Sequence, residues 1–288
     1  MKHAFLILAH NEFEVLRRLV AALDDPRNDI FIHFDRKVVT LPALETQHAT
    51  LTVLEERIDV RWGGLSMLQA EVALFQAACS RGPYQYYHLL SGVDLPLRSQ
   101  DSIHAFFDQN NGKEFIGYTL TQMTPEYVRK MQRRHLFYEH FKSRNMVIRL
   151  VRGAFIRAQE WLGIYRNKSI DFKKGSQWVS ITDGMARYFL AHEEWMMKVF
   201  RGTFCCDEVA MQTLCWMSPF REHLYNTTDD GTGCLRAIGW QVHDGWSQLI
   251  DYNAGDYEKL AASPALFARK FNGSDPAFLD RIENLAKR

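Results

Sequence analysis

Apolar residues run unbroken from Ala4 to Ala9 and stop at a polar corner, His10-Asn11-Glu12. Past it the period changes. Phe13, Leu16, Leu19, Val20 and Leu23 recur at helical spacing and predict a helix. Residues 24–28, with Pro26, read as a loop. Ile30, Ile32 and Phe34 then alternate with Phe31 and His33, predicting a second strand. Strand, helix and strand within about 35 residues form a βαβ unit, the start of a mostly parallel sheet flanked by helices.

The same reading continues downstream. Residues 51–60 predict a short strand, and Arg61-Trp62-Gly63-Gly64 a loop into a helix over 65–79. Residues 84–90 are β-like and end at Ser91-Gly92-Val93-Asp94-Leu95-Pro96. A short helix is expected over 101–108, strands over 113–118 and 175–182, and a helix over 183–199. Residues 205–216 read as a helix opening on two acids, Asp207 and Glu208. A helix dipole favours acids there, so placement explains them as readily as catalysis does. Residues 227–233 form a loop with two glycines, and 235–240 an edge strand. The 288 residues fit one domain, 1–288.

Composition changes the picture in two places. A chain that is 47% hydrophobic and 24% charged can bury a core and is not disordered. Its aromatics also exceed what a minimal core needs, and flat rings suit sugar faces. The formal charge of +1 argues against nucleic acid as a partner. That average hides a basic helical segment at about 125–162, where Arg129 to Arg157 include nine Lys or Arg and one acid, Glu139. Leu136, Phe137, Met146, Val147, Ile148, Leu150, Val151 and Phe155 run through it. It reads either as a basic amphipathic helix on an anionic membrane or as a helix packed on its own domain with a solvated basic face. No apolar run is long enough for an export signal or a membrane span. Cys79, Cys205, Cys206, Cys215 and Cys234 contain no CxxC pair, so reduced thiols in a cytoplasmic protein are expected, with contact at the inner membrane face as the variant of that location.

Several chemistries are absent. GxGxxG, GxxxxGK, HExxH and GxSxG do not occur, and the cysteines and histidines lack zinc spacing. The acid pairs Asp24-Asp25 and Asp229-Asp230 lie in loops, and neither follows a hydrophobic strand as a metal-holding DxD does. What remains are polar strand ends and isolated cations. His10, Asn11, His33 and Asp35 stand at carboxyl ends of parallel strands, where ligands bind, though caps and loops use the same residues. Asp94, between Gly92 and Pro96, suits a ribose or sugar hydroxyl, or a turn. Arg236 and Lys270 lie in apolar sequence, where they suit phosphate oxygens or cover apolar surface with their stems.

In order along the chain, `AFLILAHN`, `IFIHFDRK`, `VRWGGLSMLQAEVALF`, `YYHLLSGVDLPLRS`, `GSQWVSIT`, `CCDEVAMQTL` and `SPALFARKF` cover residues 4 to about 272. With these segments the chain resembles the core-2/I-branching β-1,6-N-acetylglucosaminyltransferases, grouped with peptide O-xylosyltransferases as glycosyltransferase family 14. The resemblance implies an α/β, GT-A-like nucleotide-sugar transferase fold, a UDP-sugar donor, a saccharide acceptor, inversion and no metal cofactor. It implies Glu208 as catalytic base, Asp94 at the donor sugar, and Arg236 and Lys270 on the diphosphate. Trp178 falls where acceptor-side residues are expected, and His10, His33, Asp35 and Trp62 match positions near the nucleotide. The sequence departs from the secreted animal relatives in lacking their membrane anchor, stem and cysteine pattern. The longer spacing between Arg236 and Lys270 makes Arg236 the less secure of the pair. A bacterial enzyme of surface-glycan synthesis, transferring N-acetylglucosamine, xylose or glucose, is the resulting expectation. A metal-dependent or retaining glycosyltransferase and a non-catalytic glycan-binding protein are the alternatives.

Overall fold

Every residue of strand β1 (His3–Ala9) is buried, which for a strand means that both faces of its sheet are covered. The computed structural model describes residues 1–122, 124–140, 144–243 and 246–287. Helix α1 (Phe13–Ala22) follows and buries Val15, Leu16, Leu19 and Val20. Strand β2 (Asn28–Phe34) returns parallel to β1, completing the βαβ unit that the apolar pattern predicts. Strand β3 (Thr50–Val53), helix α2 (Leu65–Cys79), strand β4 (Tyr86–Ser91), strand β5 (Asp94–Pro96) and helix α3 (Gln100–Gln109) come next.

The second half holds mostly shorter pieces. These are β6 (Tyr118–Leu120), α4 (Pro125–Met131), α5 (Met146–Trp161), β7 (Lys174–Gly175), β8 (Ser180–Thr182), α6 (Asp183–Ala191), α7 (Glu193–Phe200) and α8 (Ala210–Trp216). Then come β9 (Arg236–Ile238), β10 (Trp240–His243), β11 (Trp246–Leu249), α9 (Tyr257–Ala261), β12 (Phe267–Arg269) and α10 (Pro276–Leu285). The central sheet has the order β3-β2-β1-β4-β8, parallel except for β8. A parallel-rich sheet between helices is therefore the architecture. Alternation along β1 builds the two cores: Leu6 and Leu8 pack with α2 and α6, while Phe5 and Ile7 pack with α1, α3 and α10.

A second sheet positions the site. Its order is β5-β12-β9, with β12 antiparallel to β5 and parallel to β9. Arg269 pairs with Asp94 across one ladder, and Phe267 with Arg236 across the other. Three distant stretches thus meet within three adjacent three-residue strands, and the expected edge strand at 235–240 is realised at Arg236–Ile238.

Other expectations are shortened or broken. The strand expected over 51–60 is Thr50–Val53, and the one over 113–118 is reduced to bridges at Glu114 and Phe115 ahead of β6. The 175–182 strand is interrupted into β7 and β8, and the 183–199 helix is divided at His192 into α6 and α7. Asp207 and Glu208 occupy a single 3-10 turn, Cys206–Glu208, ahead of α8 rather than the first turn of an α-helix. The basic segment is likewise not one helix. It comprises α4, a 3-10 turn at Tyr138–His140, and α5. Only Gln159 of α5 is fully buried, while Met146, Val147, Leu150 and Val151 face solvent. Ile148, Phe155 and Ile156 are partly buried, so the helix rests on its own domain by one side while a second apolar side stays open. Among the described residues no helix is long and apolar enough to cross a membrane.

Candidate functional site

A cavity of about 1180 Å³ opens where the carboxyl ends of β1 and β4 meet the second sheet. Its walls include His10, Trp178, Glu208, Arg236, Arg269 and Lys270. Segments near residues 90 and 270 therefore share one cleft, as a site assembled from them requires. Three non-glycine residues with left-handed backbone adjoin it: Glu12, Cys205 and Leu235, at φ of 50°, 55° and 55°. Such conformations are uncommon outside glycine and persist where surrounding structure holds them. They immediately precede or belong to the wall segments carrying Glu12, Asp207 and Arg236.

The acidic wall is layered. The Glu208 carboxylate is about one-third exposed and meets the Lys174 ammonium at 3.1 Å. Burial alone would lower the Lys174 pKa, but Glu208 and Tyr127 outweigh it and the net shift is upward. Asp207, next in sequence, is half-buried at the cavity wall, and its buried Oδ1 has no hydrogen-bond partner among the described residues. Burial, and then the charge of Glu208, push its pKa up to about 7. Behind it Glu71 is buried and accepts a hydrogen bond from Gln177 Nε2 at 2.7 Å. Burial and the neighbouring Asp207 raise the Glu71 pKa well above the carboxylate range. Of the three acids, only Glu208 combines exposure to the cavity with a cationic partner.

The basic wall comes from β9, β12 and the residue after β12. Arg236 is buried and donates to Cys234 O at 2.5 Å, Val179 O at 2.9 Å and Ser180 Oγ at 2.9 Å. Its Nε is buried without a partner, and no carboxylate pairs with it among the described residues. Burial brings its pKa down to about 10, with Cys234 and Asp94 opposing. A buried cation surrounded by neutral oxygens has a standing demand for an anion. Arg269 lies over the Trp178 ring at 4.3 Å and pairs with Asp94 at 3.1 Å. Lys270 is more open, with Asp251 at 3.3 Å.

Asp94 sits behind the cavity wall rather than on it. It is fully buried and absent from the cavity lining. One oxygen takes the Ser91 hydroxyl and Arg269 Nε, and the other takes the Ser91 amide at 3.1 Å. In this structure it fixes Ser91 and Arg269, which do line the cavity. Asp35 lines a smaller adjoining recess with His10 and Lys37, and accepts from the Lys37 ammonium at 2.7 Å. Burial lowers the His10 pKa, against the pull of Asp35. His33 instead accepts the Ile58 amide at 2.9 Å, a structural contact. Trp62 and Trp178 both reach the main cavity. Arg269 and Lys174 were missed as site residues in the sequence. Arg269 stood visible beside Lys270 in `LFARKF`, whereas nothing local marked Lys174.

A sequence model of the core-2/I-branching enzymes, described as "Branch: Core-2/I-Branching enzyme", matches residues 3–261. The chain belongs to this family. This core-2/I-branching enzyme is 24% identical to the human N-acetyllactosaminide beta-1,6-N-acetylglucosaminyl-transferase, over 93% of its own length and 67% of that protein. It is 21% identical to xylosyltransferase 2 of Canis lupus familiaris and 23% identical to xylosyltransferase sqv-6 of Caenorhabditis elegans. It spans only 32% and 33% of those two proteins. Membership makes the chain a glycosyltransferase, and the cavity is its candidate active site.

Proposed function

We propose that this enzyme has a GT-A-like fold and transfers a sugar from a UDP donor to a saccharide hydroxyl, with inversion and without a bound metal. The observation that carries the reading is one cavity holding a solvent-reached carboxylate, Glu208, together with Arg236, Arg269 and Lys270. In the proposed step an acceptor hydroxyl oxygen bonds to the anomeric carbon as the bond from that carbon to the diphosphate oxygen breaks. Glu208 takes the hydroxyl proton, and UDP leaves with the bonding electron pair. Charge growing on the diphosphate is met by Lys270 and the two guanidiniums, which stabilise the transition state more than the bound donor.

Roles follow from placement. Lys174 holds Glu208 in position. Asp94 acts through Arg269 and Ser91 rather than by touching the donor. Trp178, with its ring against Arg269, offers a face to a sugar. His10 and Asp35 lie beside the recess that adjoins the main cavity, suited to the nucleoside end of the donor. N-acetylglucosamine and xylose are the leading donor sugars, because relatives are named for both transfers; glucose differs from them by single substituents. Five free thiols fit a reducing compartment and a cytoplasmic step in bacterial surface-glycan assembly.

A transfer assay with UDP-N-acetylglucosamine, UDP-xylose and UDP-glucose tests the reading, with the product anomer read by proton NMR coupling. A β-linked product from the α-linked donor is expected. Glu208→Gln should lower turnover by roughly 10²-fold or more while UDP affinity changes little. Near-normal turnover in that variant removes Glu208 from the base role.

A further inference from the structure

Helix α5 divides into three sectors around its axis. One, at Ile148, Phe155 and Gln159, turns toward the protein and is partly or fully buried. The opposite one holds Met146, Val147, Leu150, Val151 and Trp161, exposed by 73, 66, 67, 42 and 86%. Met146, Val147, Leu150 and Val151 lie on one side of the first two turns, and Trp161 returns to that side in the last turn, so large apolar side chains mark both ends of one helix face. Leu162 and Ile164, 59 and 50% exposed, extend the apolar surface past the helix end. The third sector borders a groove of about 380 Å³ shared with α4. Its polar lining is Arg129, His135, Arg149, Arg152, Arg157 and Glu160, with burial lowering the His135 pKa and Glu160 paired to Arg129 at 2.7 Å.

A water-facing apolar stripe flanked by arginines is costly to leave bare. Charge on the rest of the molecule sharpens the point. Residues 125–168 carry eleven Lys or Arg against three Glu, while the remainder carries 24 against 31 acids. The near-neutral total is thus a dipolar molecule whose positive pole coincides with the exposed stripe. A second copy is a poor occupant, because two stripes laid face to face bring like-charged arginine rows together. A bilayer with anionic headgroups meets both halves of the surface: acyl chains take the apolar residues, and phosphates take the arginine groove. Trp161 sits at the end of the stripe, where an amphipathic ring suits the headgroup level.

We propose that α4 and α5 form a docking surface for an anionic lipid bilayer, with headgroup phosphate held in the arginine groove. The surface is tied to the cavity. Glu139, between the two helices, accepts the Leu65 amide at 3.1 Å and so anchors the segment to the start of α2. Tyr127 of α4 lies 5.7 Å under the Lys174 ammonium that holds Glu208. These contacts link the docking segment to the cavity wall, although the lipid contact itself does not depend on the donor chemistry.

Vesicle flotation of the full chain tests this, using phosphatidylcholine alone and with roughly 30% phosphatidylglycerol. Binding is expected only with the anionic lipid, weakening as salt rises from about 50 to 500 mM. The double variants Val147→Asp/Leu150→Asp and Arg149→Gln/Arg157→Gln should each lower the partition coefficient by about tenfold or more. These side chains are exposed, and an unchanged thermal shift with UDP shows that each variant keeps its fold and donor site. No partition onto anionic vesicles, or parental partition by the stripe variant, overturns the proposal. So does a dimer in solution that the stripe substitutions dissolve, since a second copy would then be the occupant.

Discussion

Asp207 and Lys270 show how much one side chain's surroundings decide. Asp207 in the unfolded chain ionises at about 3.9. In the fold its pKa is about 7, with burial the main cause and Glu208 the second. Between those values the folded state keeps a proton that the unfolded state has lost. Stability contributed there is present at low pH and falls as pH climbs toward 7. Asp207→Asn removes that dependence. Its melting temperature should gain on the parent by about 2 °C or more between pH 5 and 8; a constant gap in thermal melts would mean the folded Asp207 is already ionised at pH 5. Lys270 is the opposite case, a half-open cation with one carboxylate at 3.3 Å. Lys270→Ala should weaken UDP binding by roughly tenfold and lower kcat as well, by calorimetry and initial rates. Unchanged values would leave Lys270 a surface cation. Motif resemblance singled out Glu208 and Lys270 in the sequence. It could not show that Asp94 turns inward, because orientation is set by the Arg269 ladder, a contact between residues far apart in the chain.

At the scale of elements, periodicity identified what was long and failed on what was short. β1, α1 and β2 each run seven residues or more, enough for a pattern to repeat. β5, β9 and β12 have three residues each, so alternation has no room to declare itself, yet they carry Asp94, Arg236 and Arg269. β7 is shorter still, and its structure depends on a missing side chain. A Cβ added at Gly175 would stand 1.7 Å from the Gly117 carbonyl oxygen, so the backbones of β6 and β7 approach as closely as they do only because glycine is there. Gly175→Ala must push the pair apart and displace Lys174 beside it. We expect a loss of about 1–3 kcal/mol in urea unfolding and a fall in kcat through misplacement of Glu208. Parental stability and rate would show that β7 yields without moving Lys174.

For the whole molecule, the proposed donor raises the question of what balances its diphosphate. The chain's net charge of +1 gives no hint of it, since the basic pole at residues 125–168 and the acidic remainder cancel. The cavity's own balance is local: one wall carries three cations, from β9, β12 and the residue after β12, one of them buried without a carboxylate partner among the described residues. An anion placed there compensates Arg236 and ties β9 to β12, so UDP should stabilise the fold as a whole. At a concentration near 100 times its Kd, linkage gives about 2.7 kcal/mol, which is roughly 4–8 °C in melting temperature for a chain of this size. If side chains supply the counter-charge, the same shift appears in excess EDTA, and added magnesium does not enlarge it. A shift that vanishes with EDTA and returns with magnesium would assign the phosphate charge to a bound divalent ion. Arg236 would then serve as a strut between β9 and the Val179–Ser180 backbone rather than as a partner of the leaving group.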